Sequence, residues 1–230
     1  MNEIEDRVIL VTGASGGLGG AVVEEFEAAG ARVAAVARTW KDGPKHERVH
    51  RLESDLLRPH GARTVVGQTL AAFGRLDGVA HLMGGFEGGR HVPDISDETW
   101  DRMLDINLRS AFYVFRAALP HLLQARYGRL AAIGSRPAAD PPAGLGAYSV
   151  SKAGLVALVR TIAAEGKDSG VTANIVLPSV IDTPSNRAAN PGADYSKWVQ
   201  PASIARLLVW LMSDSARDVS GAVIPVYARA

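Results

Sequence analysis

The 230-residue chain contains no cysteine. That excludes disulfides, thiolate nucleophiles and cysteine-held metals, and it is compatible with a reducing compartment. Aromatic residues are few, at 6%, and no apolar run approaches the ~18 residues of a membrane-spanning helix. An excess of one charge is also missing. The 25 basic and 24 acidic residues leave a formal net charge of +1, so no basic stripe invites nucleic acid or an anionic membrane. Of the six histidines only His46 and His50, in "HERVH", are four apart, short of the three or four convergent ligands that a metal site needs. The N-terminal "MNEIEDRVIL" is too acidic, and its apolar run too short, for a signal peptide. The expectation is a cytoplasmic protein whose partner is a small molecule, with neither nucleic acid nor membrane involved.

Apolar residues, by contrast, make up 47% of the chain against 21% charged, enough for a packed core rather than disorder. Short apolar runs at 7–12, 32–37, 48–54, 76–83, 128–135, 171–178 and 221–227 alternate with helical segments. Helices are expected from the glycine-rich turn to about 30, then at 59–73, 97–124, 147–165 and 202–212. Strands apolar on both faces and separated by helices suit a parallel sheet covered on both sides. The fold class expected is therefore α/β, a doubly wound parallel sheet of about seven strands in one domain spanning 1–230. Polar, turn-forming residues crowd 182–199, which is too long for a routine connection and is expected to be a substrate-side insertion.

Directly after the first strand comes "TGASGGLG". Glycines where a strand turns into a helix let backbone N–H groups approach a pyrophosphate at the positive end of the helix. Strand before, helix after and a second strand about a dozen residues on make this a dinucleotide-binding arrangement. The second strand ends in Ala37, Arg38 and Thr39, with no carboxylate until Asp42. An acidic residue would bond a ribose 2′-hydroxyl, whereas arginine accommodates a 2′-phosphate. The expected cofactor is therefore NADP, with NAD possible and Ser15 adding a hydroxyl beside the phosphate.

In "AYSVSKAG", Tyr148 and Lys152 are four apart and share a helix face. A nearby ammonium and a helix N-terminus near Gly146 would both favour an ionised phenol, bringing it into range for proton transfer. With Ser135 thirteen residues before Tyr148, the glycine loop, and Asn107 in "LDINLRS", nearly the whole chain resembles the short-chain dehydrogenase/reductase family.

That resemblance implies a Rossmann-type oxidoreductase acting on a carbonyl or alcohol substrate. Its pattern places the glycine motif on Thr12, Gly13, Gly17 and Gly19, with Leu18 between the last two, and the catalytic set on Asn107, Ser135, Tyr148 and Lys152. Asp55 and Leu56 would lie beside the adenine, while Pro178, Val180 and Thr183 would line the nicotinamide. Tyr148 would protonate the substrate oxygen as hydride reaches carbon, Ser135 would hydrogen-bond that oxygen, Lys152 would also hold the ribose, and Asn107 would anchor a water. Family members pair through their long helices, implying a homodimer or homotetramer with Phe112, Tyr113, Phe115, Leu155, Val156 and Leu158 as candidate contacts.

Two departures stand out. "HLMGGFEGG" replaces the family's Asn-Asn-Ala-Gly and leaves His81 without a role, and Ser179 stands for a glycine. The first of these loops is similar to that of the dihydropteridine reductases of the same family. The 182–198 segment shares this similarity through Asp182, Thr183, Pro184, Asn186, Arg187, Pro191, Ala193, Asp194, Ser196 and Trp198, so pterin reduction is an alternative activity. A non-catalytic NADP(H) sensor or scaffold is another.

Overall fold

The computed structural model describes residues 4–40 and 47–229; Asp42 lies outside them. Seven strands form one parallel sheet: β1 (Val8–Thr12), β2 (Arg32–Ala37), β3 (Val49–Glu53), β4 (Gly78–His81), β5 (Gly128–Ile133), β6 (Val171–Pro178) and β7 (Val223–Val226). Their order is β3-β2-β1-β4-β5-β6-β7. The inner strands are buried along their whole length because helices cover both faces.

On one face lie α1 (Gly19–Ala28) and α7 (Pro201–Met212), packed through Phe26, Ile204 and Leu208. On the other lie α2 (Pro59–Phe73), α4 (Ser110–Ala125) and α5 (Gly146–Gly166), packed through Val65, Phe115 and Leu155. Strand order reverses between β1 and β4, and the crevice outside their carboxyl ends is where ligands bind in such sheets. Thr12 pairs with His81 there.

The sequence predicts one helix over 97–124, but the structure breaks it into α3 (Asp97–Leu104), a π turn over Asp105–Arg109, and α4. Ser110 is the physical reason. Its Oγ donates to Ile106 O at 2.7 Å, while its backbone N–H reaches back to Asp105 O. The side chain takes the carbonyl that the helix would have used, and the wider turn results. The predicted 182–199 insertion is more ordered than a loop. It contains the short helix α6 (Pro184–Ala189), capped by the Thr183 side chain on Asn186 N. An Arg187–Asp182 ion pair braces it at 2.5 Å, Tyr195 packs on Trp198, and a bridge joins Ile181 to Val199.

Candidate active site

The glycine loop joins β1 to α1, with Gly13 at a φ of +67°, which strongly favours glycine. Beside it opens a cavity of about 470 Å³, lined by Ser15, Gly16, Thr39, Trp40, Glu24 and Arg51 among others. The charge and shape of this cavity fit the phosphate-bearing end of a dinucleotide: a helix N-terminus and a guanidinium face the same space. Arg51 reaches this cavity from within β3, where nothing in the local sequence marks it. Parallel pairing puts it opposite Ala35, on the α1 face, and its guanidinium lies 4.9 Å over the Trp40 ring. The Trp40 indole is fixed by donating to Leu52 O at 3.0 Å.

Other expected cofactor residues fall along the same crevice. Arg38, Thr39 and Asp55 are exposed at the strand ends, and Asp55 Oδ1 caps Leu57 N at 3.0 Å. Leu18 and Leu56 differ from a ligand-facing reading: both side chains are buried in the two core clusters, so only their backbone can face a ligand. Pro178 closes β6 and Val180 is exposed just beyond it. Thr183 is buried with its Cβ 2.8 Å from where a side chain on Gly17 would begin, which sets the nicotinamide-side segment against the phosphate loop.

Tyr148 and Lys152 lie one turn apart at the start of α5 and are both buried. Ser135 lies just beyond the carboxyl end of β5, with its hydroxyl near enough to Tyr148 to favour the ionised phenol. The expected lowering of the tyrosine pKa is not what the structure gives. Burial pushes the phenol up, the Ser135 hydroxyl only partly opposes this, and Lys152 contributes no comparable pull. The Lys152 ammonium instead donates to Ile133 O at 2.9 Å, and burial lowers its pKa to about 8.

Asn107 sits fully buried in the π turn. Its Oδ1 accepts from Gly85 N at 3.0 Å, and its Nδ2 donates to Gly85 O and Ser151 Oγ, each at 3.1 Å. Ser151 Oγ in turn donates to Tyr148 O at 2.7 Å. The side chain is therefore a bracket between the 84–90 loop and α5. Both amide hydrogens are spent on protein acceptors. Gly84 lies between the parts: a methyl there would be 2.9 Å from Asn107 Oδ1 and 3.1 Å from Lys152 Nζ.

His81, without a role in the sequence, is a structural tie. Its Nδ1 pairs with Thr12 Oγ1 at 3.0 Å and its Nε2 lies 3.4 Å from Ser110 Oγ. Burial, and secondarily the Lys152 charge, lowers its pKa to about 3, so it is neutral at physiological pH. It joins β1, β4 and the π turn, supplying what the absent asparagines would have given. Phe86, also missed, stands at the tyrosine with ring centroids 5.0 Å apart.

A larger cavity of about 1080 Å³ lies at the opposite edge of the sheet, lined by Arg7, Arg126, Arg129, Arg160, Lys167 and Asp214 among others. Its cations meet the negative C-terminal ends of α4, α5 and α7. Three of them are already bound: Arg7 to Asp214, Arg126 to Asp168 O, and Arg129 to Ser213 O and Gly170 O. That cavity lies at the amino ends of β1, β5 and β6, away from the crevice at their carboxyl ends. No group of histidines and carboxylates among the described residues could hold a metal ion, and no helix among them is long and apolar enough to cross a membrane.

The short chain dehydrogenase family model matches residues 7–194. Among curated relatives, short chain dehydrogenase adrF of Penicillium rubens is 26% identical, with 98% of this chain and 97% of that protein covered. The 3-oxoacyl-[acyl-carrier-protein] reductase FabG of Salmonella typhimurium is 29% identical, with 96% of each covered. Among solved structures, a short-chain type dehydrogenase/reductase from Mycobacterium ulcerans superposes with a TM-score of 0.92 at 28% identity, covering 98% of this chain and 90% of that one.

Proposed function

The chain belongs to the short-chain dehydrogenase/reductase family, and from that premise we propose an NADPH-dependent reductase of small carbonyl compounds, running in reverse on the alcohols, with Tyr148 as acid and base. Family membership makes it an oxidoreductase of CH–OH and C=O groups that uses NAD or NADP. The observation that carries the finer reading is the placement of the Ser135 hydroxyl beside the Tyr148 phenol: two hydroxyls lie where one substrate oxygen can accept from both. That pair also favours a carbonyl over a pterin, which has no oxygen needing the clamp.

When bound, NADPH supplies hydride to the carbonyl carbon. Tyr148 holds the proton for the oxygen, and its raised pKa keeps it protonated at neutral pH, as reduction requires. Ser135 orients the oxygen toward the phenol. Lys152, fixed by Ile133 O, presents a buried ammonium to the cofactor side, while Asn107 and Ser151 hold the loop and α5 in register. Gly13, Ser15, Gly17, Leu18 and Gly19 take the pyrophosphate through backbone, with Asp55 and Leu56 at the adenine and Pro178, Val180 and Thr183 at the nicotinamide. Residues 1–230 act as one catalytic domain, with 182–199 flanking the substrate.

Purified protein should oxidise NADPH only when a ketone is added; a broad ketone panel giving no oxidation rejects the reading. The NADP preference is supported by Arg38 at the end of β2 and by Arg51 in the cavity beside Ser15. Losing a hydrogen bond to a charged group costs about tenfold or more, so Arg38→Ala and Arg51→Ala should each raise the NADPH Kd by that factor and barely change that of NADH. Equal weakening of both would reject the assignment.

Assembly as a homodimer or homotetramer through α4 and α5 is supported by Phe112 and Val150, apolar yet 40% and 46% exposed. Phe115 and Leu155 are core instead, because their side chains face the sheet. A monomeric mass by light scattering rejects the assembly. We place the enzyme in the cytoplasm; its recovery with membranes on cell fractionation would reject that.

A further inference from the structure

Phe86 is 67% exposed although it stands edge-on to Tyr148, the planes meeting at 76°. One exposed phenylalanine is unremarkable in itself. This one begins a continuous apolar shelf. Its Cζ is 3.2 Å from where a side chain on Gly88 would begin, with Leu145 Cδ2 against the same bare backbone. One step along, Ile95 Cδ1 and Val92 Cγ2 lie 3.0 and 3.4 Å from the corresponding point on Gly146, and Val92 is 75% exposed. The shelf thus runs from the phenol along the first turn of α5.

It is held rigid from below. Asn107 grips Gly85 by both backbone groups, Gly89 N donates to Gly144 O at 2.9 Å, and Arg90 pairs with Leu145. Glu87, the one acidic side chain of the loop, is turned into bracing by Thr99 Oγ1 at 2.9 Å and by Arg102. What remains for a substrate is a preformed apolar surface with an aromatic edge, directly beside the proton donor. Arg90 is the charged side chain exposed beside it. A ring would gain both apolar burial and an edge-to-face or offset contact.

We infer that the substrate is an aryl ketone, or the corresponding aryl carbinol, whose ring lies on this shelf, and that Phe86 determines that specificity. The inference rests on the carbonyl-reductase reading and names the substrate class of the same site.

The test compares acetophenone with acetone for wild type, Phe86→Ala and Phe86→Tyr at saturating NADPH, with the NADPH Kd measured separately by fluorescence. Wild type should prefer acetophenone by about a hundredfold in kcat/KM. Phe86→Ala should cut that preference by about tenfold or more and leave the acetone rate and NADPH Kd unchanged, while Phe86→Tyr keeps the preference. Wild type reducing acetone as readily as acetophenone overturns the inference while leaving the carbonyl reading standing. So does a preference that survives in Phe86→Ala, or an equal loss on both ketones, which would make Phe86 a prop for Tyr148. A wild type that binds NADPH and reduces neither ketone overturns the carbonyl reading itself, and this inference with it.

Discussion

Tyr148→Phe should lower kcat/KM for ketone reduction by roughly 10³-fold, within the range that a positioned general acid supplies, while the NADPH Kd stays within about twofold. The phenol is buried on the first turn of α5, and removing its oxygen takes away the proton donor and one of the two hydroxyls that meet at the substrate oxygen. Little else changes, because the ring's packing against Phe86 survives the substitution. Burial raises the phenol's pKa, so the acid form persists as pH rises through neutrality and the wild-type reduction rate should be flat there. The reverse oxidation needs the ionised phenol and should climb with pH. Stopped-flow turnover beside fluorescence titration of NADPH decides the matter: retained turnover in the variant removes Tyr148 from the chemistry.

Lys152→Met should abolish turnover and yet stabilise the protein at pH 7. The ammonium is buried, and desolvation lowers its pKa to about 8 from the ordinary lysine value of 10.5. Between those values the folded chain binds fewer protons than the unfolded chain, so wild-type stability rises with pH across that window. Below pH 8 the full cost of burying the charge is present, on the order of 3 kcal/mol from the shift. Methionine removes that cost but leaves Ile133 O without its charged donor, a loss of about 2 kcal/mol. The net gain of about 1 kcal/mol corresponds to a Tm increase of roughly 2–4 °C for a chain of this size. It should shrink as pH approaches 10.5. A variant less stable than wild type at pH 7, by calorimetry across pH, would show that the hydrogen bond outweighs the burial of charge. Such a site trades stability for activity, as strained functional positions commonly do.

The parts of this protein legible in its sequence are those that a local pattern encodes. Runs such as "RVILVT" and "VTANIVLP" are mostly apolar on both sides because both faces of an inner strand are covered, so the parallel sheet is legible in them. The glycine loop and the Tyr148–Lys152 spacing are local too: turn conformation and helix periodicity act within a few residues. The π turn was not legible, because a 97–124 pattern carries helical periodicity throughout and only the competition of Ser110 Oγ for Ile106 O widens it.

His81, Arg51 and Phe86 were missed for a common reason. Each acquires its role from a partner far along the chain: His81 from Thr12 and Ser110, Arg51 from Trp40 and the glycine loop, Phe86 from Tyr148. The fold, the glycine-rich turn between β1 and α1 and the one-turn spacing of Tyr148 and Lys152 follow from the sequence by itself, since short-range backbone preference and burial periodicity suffice to specify them. The tertiary structure alone decided that Lys152 points to Ile133 O, that burial raises rather than lowers the tyrosine pKa, and that an apolar shelf adjoins the phenol. Those outcomes depend on desolvation and on distances between segments brought together by folding, and no local pattern records either.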